Sequence, residues 1–124
     1  MSFIEIAKVE EIPEGQMKLF AIGGNNILIV NFEGIYYAIN GRCTHMGGDL
    51  SKGKLEGKVV TCPRHGSQFD ITTGACIGGP KIGFIKLKAK DETTYEVKVE
   101  DKSIKINTWI SQTTWLFLIV RTFM

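Results

Sequence analysis

This sequence is short of several things, and each shortage excludes something. No apolar run is long: "WLFLIV", residues 115–120, falls well below the ~20 residues a membrane-spanning helix needs. Neither sign of charge dominates. Fifteen Lys and Arg stand against thirteen Asp and Glu, a net charge of +2, so no strong basic field argues for a nucleic-acid partner. The opening "MSFIEIAKVEEIPEG" carries acids where a secretory leader has a basic start and an apolar run. These absences predict a cytoplasmic protein with no transmembrane segment. Three cysteines are a poor basis for a disulfide framework; kept reduced, they read as metal ligands or bystanders. Histidine occurs only twice.

What is present is mostly period two. At 124 residues the chain makes one domain with room for a real core. "FIEIAKV", "QMKLFAI", "NILIVNFE" and "IYYAIN" read as strands separated by "PEG", "GGNN" and "EG" turns. Later, "FIKLKAK", "TYEVKVE" and "SIKIN" alternate apolar and polar residues. Such alternation suits antiparallel strands with one face on the core and one in water. No segment holds helical spacing over three turns. The expected fold is all-β, a sandwich or barrel.

The middle is different. Residues 40–81 hold nine of the fourteen glycines, two of the three prolines, all three cysteines and both histidines. Glycine this dense marks tight turns or close backbone approach. A loop-rich subdomain set in the β scaffold is expected there, with short strands at "KVVT" and "SQFDI".

Two matched pairs lie inside it. "CTHMGGDL" gives Cys43-x-His45 and "CPRHGS" gives Cys62-x-x-His65, with sixteen residues between His45 and Cys62. Any one of these four is most simply a small buried hydrophobe or a satisfied core histidine. Together, two thiolates and two imidazoles form a complete metal-binding set. Zinc would accept them tetrahedrally, but zinc fingers usually keep cysteines in one pair and histidines in the other. One cysteine and one histidine per loop fits a two-iron cluster with both cysteines on one iron and both histidines on its neighbour.

These boxes resemble the cluster-binding boxes of Rieske iron–sulfur proteins, and the likeness runs from about Phe3 to Ile106. "IGGP", Ile77 to Pro80, is similar to the proline loop that covers the cluster in that family. The resemblance implies a Rieske-like antiparallel β-sandwich with a loop-rich cluster-binding subdomain. It also implies one [2Fe–2S] cluster per chain, with Cys43 and Cys62 on the inner iron and His45 and His65 on the outer. The Rieske proteins of respiratory and photosynthetic complexes carry an extra cysteine in each box, joined as a disulfide. Here Gly48 and Arg64 stand in those places, which points to the soluble, ferredoxin-like branch. Ser67 stands where a hydroxyl donates to a cluster sulfur in the high-potential branch, and Phe69 where that branch has a tyrosine. Hydrogen bonds to sulfur favour the reduced cluster. One donor kept and one lost predicts a potential inside the Rieske range of about −150 to +300 mV, below its top.

The resemblance implies a carrier of single electrons, not an enzyme. Rieske oxygenases need a second iron site of two histidines and a carboxylate, and no histidine remains to build one. The expected partners are a flavin-type reductase as donor and an oxygenase or other oxidoreductase as acceptor. The alternatives are a zinc-stabilised binding module without redox activity and the small subunit of a nitrite-reductase-like complex. Between Arg42 and Arg64 there are five basic residues and two acidic ones, which suggests an acidic docking partner. Met46 is a candidate apolar contact or shield, and Cys76 a structural thiol. The expected division is residues 1–107 as the Rieske domain, with its subdomain at about 40–81. Residues 108–124 form an apolar extension holding both tryptophans and one charge; its role and the oligomeric state stay open.

Overall fold

The computed structural model describes residues 2–44, 47–64, 66–79, 81–82, 85–86 and 89–108. Among them the regular structure is almost entirely antiparallel strand. A six-stranded sheet is built from β1 (Ser2–Lys8), β2 (Met17–Ile22), β3 (Asn25–Phe32), β4 (Ile35–Asn40), β11 (Thr94–Glu100) and β12 (Ser103–Thr108), in the order β1-β12-β11-β4-β3-β2. Only two residue pairs, Thr94 with Ile39 and Tyr95 with Ala38, join its halves between β11 and β4. That narrow seam lets the sheet fold over. Ile104 and Ile106 of β12 share a buried cluster with Ile27 and Ile29 of β3, although two strands separate them in the sheet order.

The inserted subdomain is a second sheet. It contains β5 (Lys54–Glu56), β6 (Val59–Thr61), β7 (Gln68–Asp70) and β8 (Cys76–Gly78), each paired with the next. β6 and β7 occupy the expected "KVVT" and "SQFDI". β5 and β8 were not expected; each is three residues long. A two-stranded hairpin, β9 (Lys81–Ile82) and β10 (Ile85–Lys86), follows.

β3 joins the two layers. Its Ile27 and Ile29 belong to the scaffold core, while Leu28 and Val30 belong to a second core with Leu50, Val60, Phe69, Ile71 and the two cysteines, Cys43 and Cys62. The expectation of one dry and one wet face fails on this strand. All four residues are fully buried, because the cluster-box subdomain covers the face that a simple sandwich leaves to solvent. A strand buried on both sides reads as a continuous apolar run, and "ILIV" is one.

Of "FIKLKAK", Ile85 and Lys86 form β10, Phe84, Leu87 and Lys88 lie outside the described residues, and residues 89–93 run as irregular chain. Their hydrogen bonds go elsewhere: the Glu92 amide donates to the Gly74 carbonyl at 2.7 Å, and the Thr93 carbonyl accepts the Asn40 amide at 2.8 Å. Among the described residues no helix is long and apolar enough to cross a membrane. The extension from residue 109 onward lies outside the described residues.

Candidate metal centre

The two cysteine loops share one backbone frame. In residues 43–48 the Cys43 carbonyl accepts the Gly47 amide at 2.8 Å, and the Cys43 amide donates to the Gly48 carbonyl at 2.8 Å. In residues 62–67 the Cys62 carbonyl accepts the Gly66 amide at 3.1 Å, and the Cys62 amide donates to the Ser67 carbonyl at 2.7 Å. Each turn puts its fifth residue in the left-handed region, with φ of 69° at Gly47 and 79° at Gly66. A residue with a β-carbon is strained there. The cysteine-to-glycine spacing is therefore the invariant of the two boxes, and the histidine moves by one place within it. His45, Met46, His65 and Pro80 lie outside the described residues.

The loops meet at Gly48. A β-carbon on Gly48 would stand 2.8 Å from Cys62 Sγ and 3.1 Å from Arg64 Cδ. The first loop thus lies directly against the second cysteine's sulfur, with the stem of Arg64 beside it. Cys43 and Cys62 are buried and, with Cys76, form no disulfide. Cys76 is half-buried; its amide donates to Asp91 Oδ1 at 2.8 Å, and its Sγ lies 3.6 Å from the Gly78 carbonyl. Ser67 is fully buried, and its Oγ has no hydrogen-bond partner among the described residues. An unmet buried hydroxyl costs about 1–3 kcal/mol. Phe69 is also fully buried and has no group to donate.

Sequence reasoning missed a strap across the first loop. The Thr44 amide, between Cys43 and His45, donates to Glu92 Oε1 at 2.9 Å. The Thr44 hydroxyl donates to the Lys90 carbonyl at 2.6 Å. A side chain at Gly74 would collide with the Glu92 carbonyl, so glycine is required where the strap crosses β7's exit. Glu92 is 4% exposed and its Oε2 has no partner among the described residues. Burial pushes its carboxyl up to about 7, against the opposing effect of the Thr44 amide. Burial of Tyr95 itself, and then the charge of Glu92, raise the Tyr95 hydroxyl.

The elevated carboxyl predicts a pH effect. Folded Glu92 keeps its proton up to about pH 7, whereas the unfolded group releases it near 4.5. The native state binds more protons in that window, so this group's contribution to stability falls as pH rises from 4.5 to 7 and is constant above. The full drop is of order 3 kcal/mol. Chemical denaturation of wild type and Glu92→Gln at pH 5 and pH 8 measures it: the variant lacks this drop. An equal pH response in both proteins would mean that the carboxyl ionises as freely as one on the surface.

A family model described as the Rieske [2Fe–2S] domain matches residues 2–89. The chain belongs to the Rieske [2Fe–2S] family. It is 33% identical over 105 residues to the ferredoxin component of naphthalene 1,2-dioxygenase/salicylate 5-hydroxylase systems from a Ralstonia species, covering 85% of this chain and 94% of the relative. Among solved structures, the ferredoxin of carbazole 1,9a-dioxygenase from Nocardioides aromaticivorans IC177 superposes with a TM-score of 0.75 at 22% identity, over 88% of this chain and 100% of that one. The Sphingomonas yanoikuyae B1 ferredoxin gives 0.71 at 25% identity, over 87% and 100%.

The residues present fit a Rieske cluster. The paired loop frames bring two buried thiols, soft ligands suited to iron, into one subdomain core. The Ser67 hydroxyl, satisfied by nothing described in the protein, has the hydrogen that a sulfur acceptor between the loops would take. The opening at Gly48 keeps a side chain off Cys62 Sγ.

Proposed function

We propose that Cys43 and Cys62 hold one iron of the Rieske [2Fe–2S] cluster, that His45 and His65 hold the other, and that Ser67 donates a hydrogen bond to a cluster sulfur. The chain is an electron carrier of the ferredoxin type, not itself a catalyst. The observation that carries this reading is the repeated loop frame with its two buried cysteines and the unsatisfied Ser67 hydroxyl. The cluster, when bound, accepts and returns one electron.

The protein's own part is to hold that centre rigidly and keep water from its inner side. The buried thiols sit under Leu50, Val60 and Phe69, which lowers the local dielectric. Two hydrogen bonds per loop and the strap at Thr44 fix the ligand backbone, so that little rearrangement accompanies a change of charge. The acceptor in this reading is an oxygenase, supported by the dioxygenase-system relatives; the donor is a flavin-type reductase, and the compartment is the cytoplasm. Protein-film voltammetry tests the function. A reversible one-electron wave within about −150 to +300 mV is expected, and a protein with no wave, or one far below that range as for all-cysteine plant-type clusters, would refute it.

A further inference from the structure

The chain's charge is segregated end to end. Residues 41–90 carry nine Lys and Arg against three Asp and Glu, residues 1–40 carry two against five, and residues 91–124 carry four against five. Asp91 and Glu92 bond to Cys76 and Thr44 and so belong with the cysteine loops. Counted there, residues 41–92 carry nine against five and the rest of the chain six against eight, so the small net charge hides a basic cluster subdomain on a weakly acidic scaffold. The fold turns this into a spatial division. Gly41, which leads into the first cysteine loop, is held at the Asn26 end of β3, while the acidic β1–β2 connection is held at the Asn31 end, where the Asn31 carbonyl accepts the Gly15 amide. Five residues of strand, on the order of 17 Å, separate the two attachments.

Around the cysteine loops the cations face solvent. Arg42, Lys52, Lys54, Arg64 and Lys90 are exposed. Arg64 lies against Gly48, beside Cys62 Sγ. Arg42 bridges to Asp49 through the backbone, next to the turn that carries Lys52. Lys90 offers its carbonyl to Thr44, which places it at the mouth of the first loop. The nearby acids are fewer and tied to their own loops: Asp49 Oδ1 accepts the Ser51 amide and hydroxyl, Asp91 Oδ1 accepts the Cys76 amide, and Glu92 is buried. Glu56 pairs with Lys54 at 3.1 Å, but both are well exposed, and such a pair is weak. At the other end Glu10, Glu14, Glu33 and Asp101 are exposed.

We infer that the cysteine-loop end, with Arg64 at its centre, docks a redox protein whose electron-exchange surface is acidic. This rests on the electron-carrier reading. The two-ended charge orients the chain on approach, cluster end first, because field lines from the partner attract one end and repel the other. Steering of this kind raises association rates by tenfold or more at low salt and fades over a Debye length of about 10 Å at 0.1 M.

The experiment uses the reduced holoprotein and two acceptors of opposite charge, acidic plastocyanin and basic cytochrome c, in stopped flow across ionic strengths. EPR first confirms the cluster in each variant. The oxidation rate with plastocyanin should fall at least several-fold as salt rises, and the rate with cytochrome c should not. Arg64→Glu, Lys52→Glu and Lys90→Glu should each slow the plastocyanin reaction at low salt. Lys102→Glu, which makes the same change in net charge at the far end, should leave it within twofold. If Arg64→Glu fails to hold its cluster, the other two variants decide. A plastocyanin rate independent of salt, or equal slowing by Lys102→Glu, overturns the inference. A normal cluster signal in that event leaves the electron-carrier reading standing.

Discussion

Gly48→Ala will strip the cluster while leaving the scaffold folded. The added β-carbon would stand 2.8 Å from Cys62 Sγ and within 3.2 Å of the Arg64 stem, closer than non-bonded atoms settle. The arginine stem can swing away. Cys62 cannot move so cheaply, because its amide and carbonyl are both tied into the second loop and its side chain is buried. Overpacking of this kind costs typically 1–3 kcal/mol, and here the strain falls on a ligand atom. The expected result is iron content reduced to a small fraction of wild type, with a far-ultraviolet spectrum still of β type. The contrast is Gly47→Ala. No atom of the described residues lies within 4 Å of a β-carbon there, so the penalty expected is the left-handed backbone at φ 69°, about 1–2 kcal/mol, and most of the cluster should survive. Equal iron in both variants would show that the Gly48 contact is not a constraint on Cys62.

Ser67→Ala will lower the midpoint potential without removing the cluster. The Ser67 hydroxyl is fully buried and has no partner among the described residues, so it is a donor in need of an acceptor. Its carbonyl, not its side chain, closes the second loop onto the Cys62 amide, and alanine keeps that bond. The variant therefore removes one hydroxyl and little else. Hydrogen bonds to charged acceptors are worth about 1.5–3 kcal/mol, and only the part gained on reduction enters the potential. Since about 1.4 kcal/mol corresponds to 59 mV for one electron, a fall of several tens of millivolts up to about 100 mV is expected in voltammetry. An unchanged midpoint would mean that the hydroxyl faces no sulfur. In that case Ser67→Ala should instead stabilise the protein, because it deletes an unsatisfied buried group.

Much of this was legible in the sequence, for identifiable reasons. The period-two runs gave β1, β2, β4, β11 and β12, since an alternating pattern reports a surface half in water. The boxes around Cys43 and Cys62 stood out because two cysteines and two histidines at such spacing have few uses besides metal binding; the structure describes the two cysteines, and the histidines lie outside the described residues. The common frame of the loops was half visible: a glycine follows each pair, but the equal cysteine-to-glycine spacing was masked by the shift of the histidine. β3 was legible as a strand, but its burial on both faces was not, since the cover comes from the distant cysteine-loop subdomain. The strap at Glu92 was invisible. Forty-eight residues separate it from Thr44, and a glutamate in "KAKDETT" looks like any solvated charge until the fold buries it. Gly48 against Cys62 is likewise a contact between loops, which only tertiary structure can place.

The central claim is that these loops hold a two-iron cluster with mixed cysteine and histidine ligands. Low-temperature EPR of the dithionite-reduced protein, with iron and zinc counted on the same sample, tests it most directly. About two irons per chain are expected, as a [2Fe–2S] centre requires, with a rhombic signal whose average g lies below the free-electron value. That signal should disappear in Cys62→Ser. A silent spectrum from a protein carrying one zinc would contradict it and leave a metal-stabilised fold with no electron to carry.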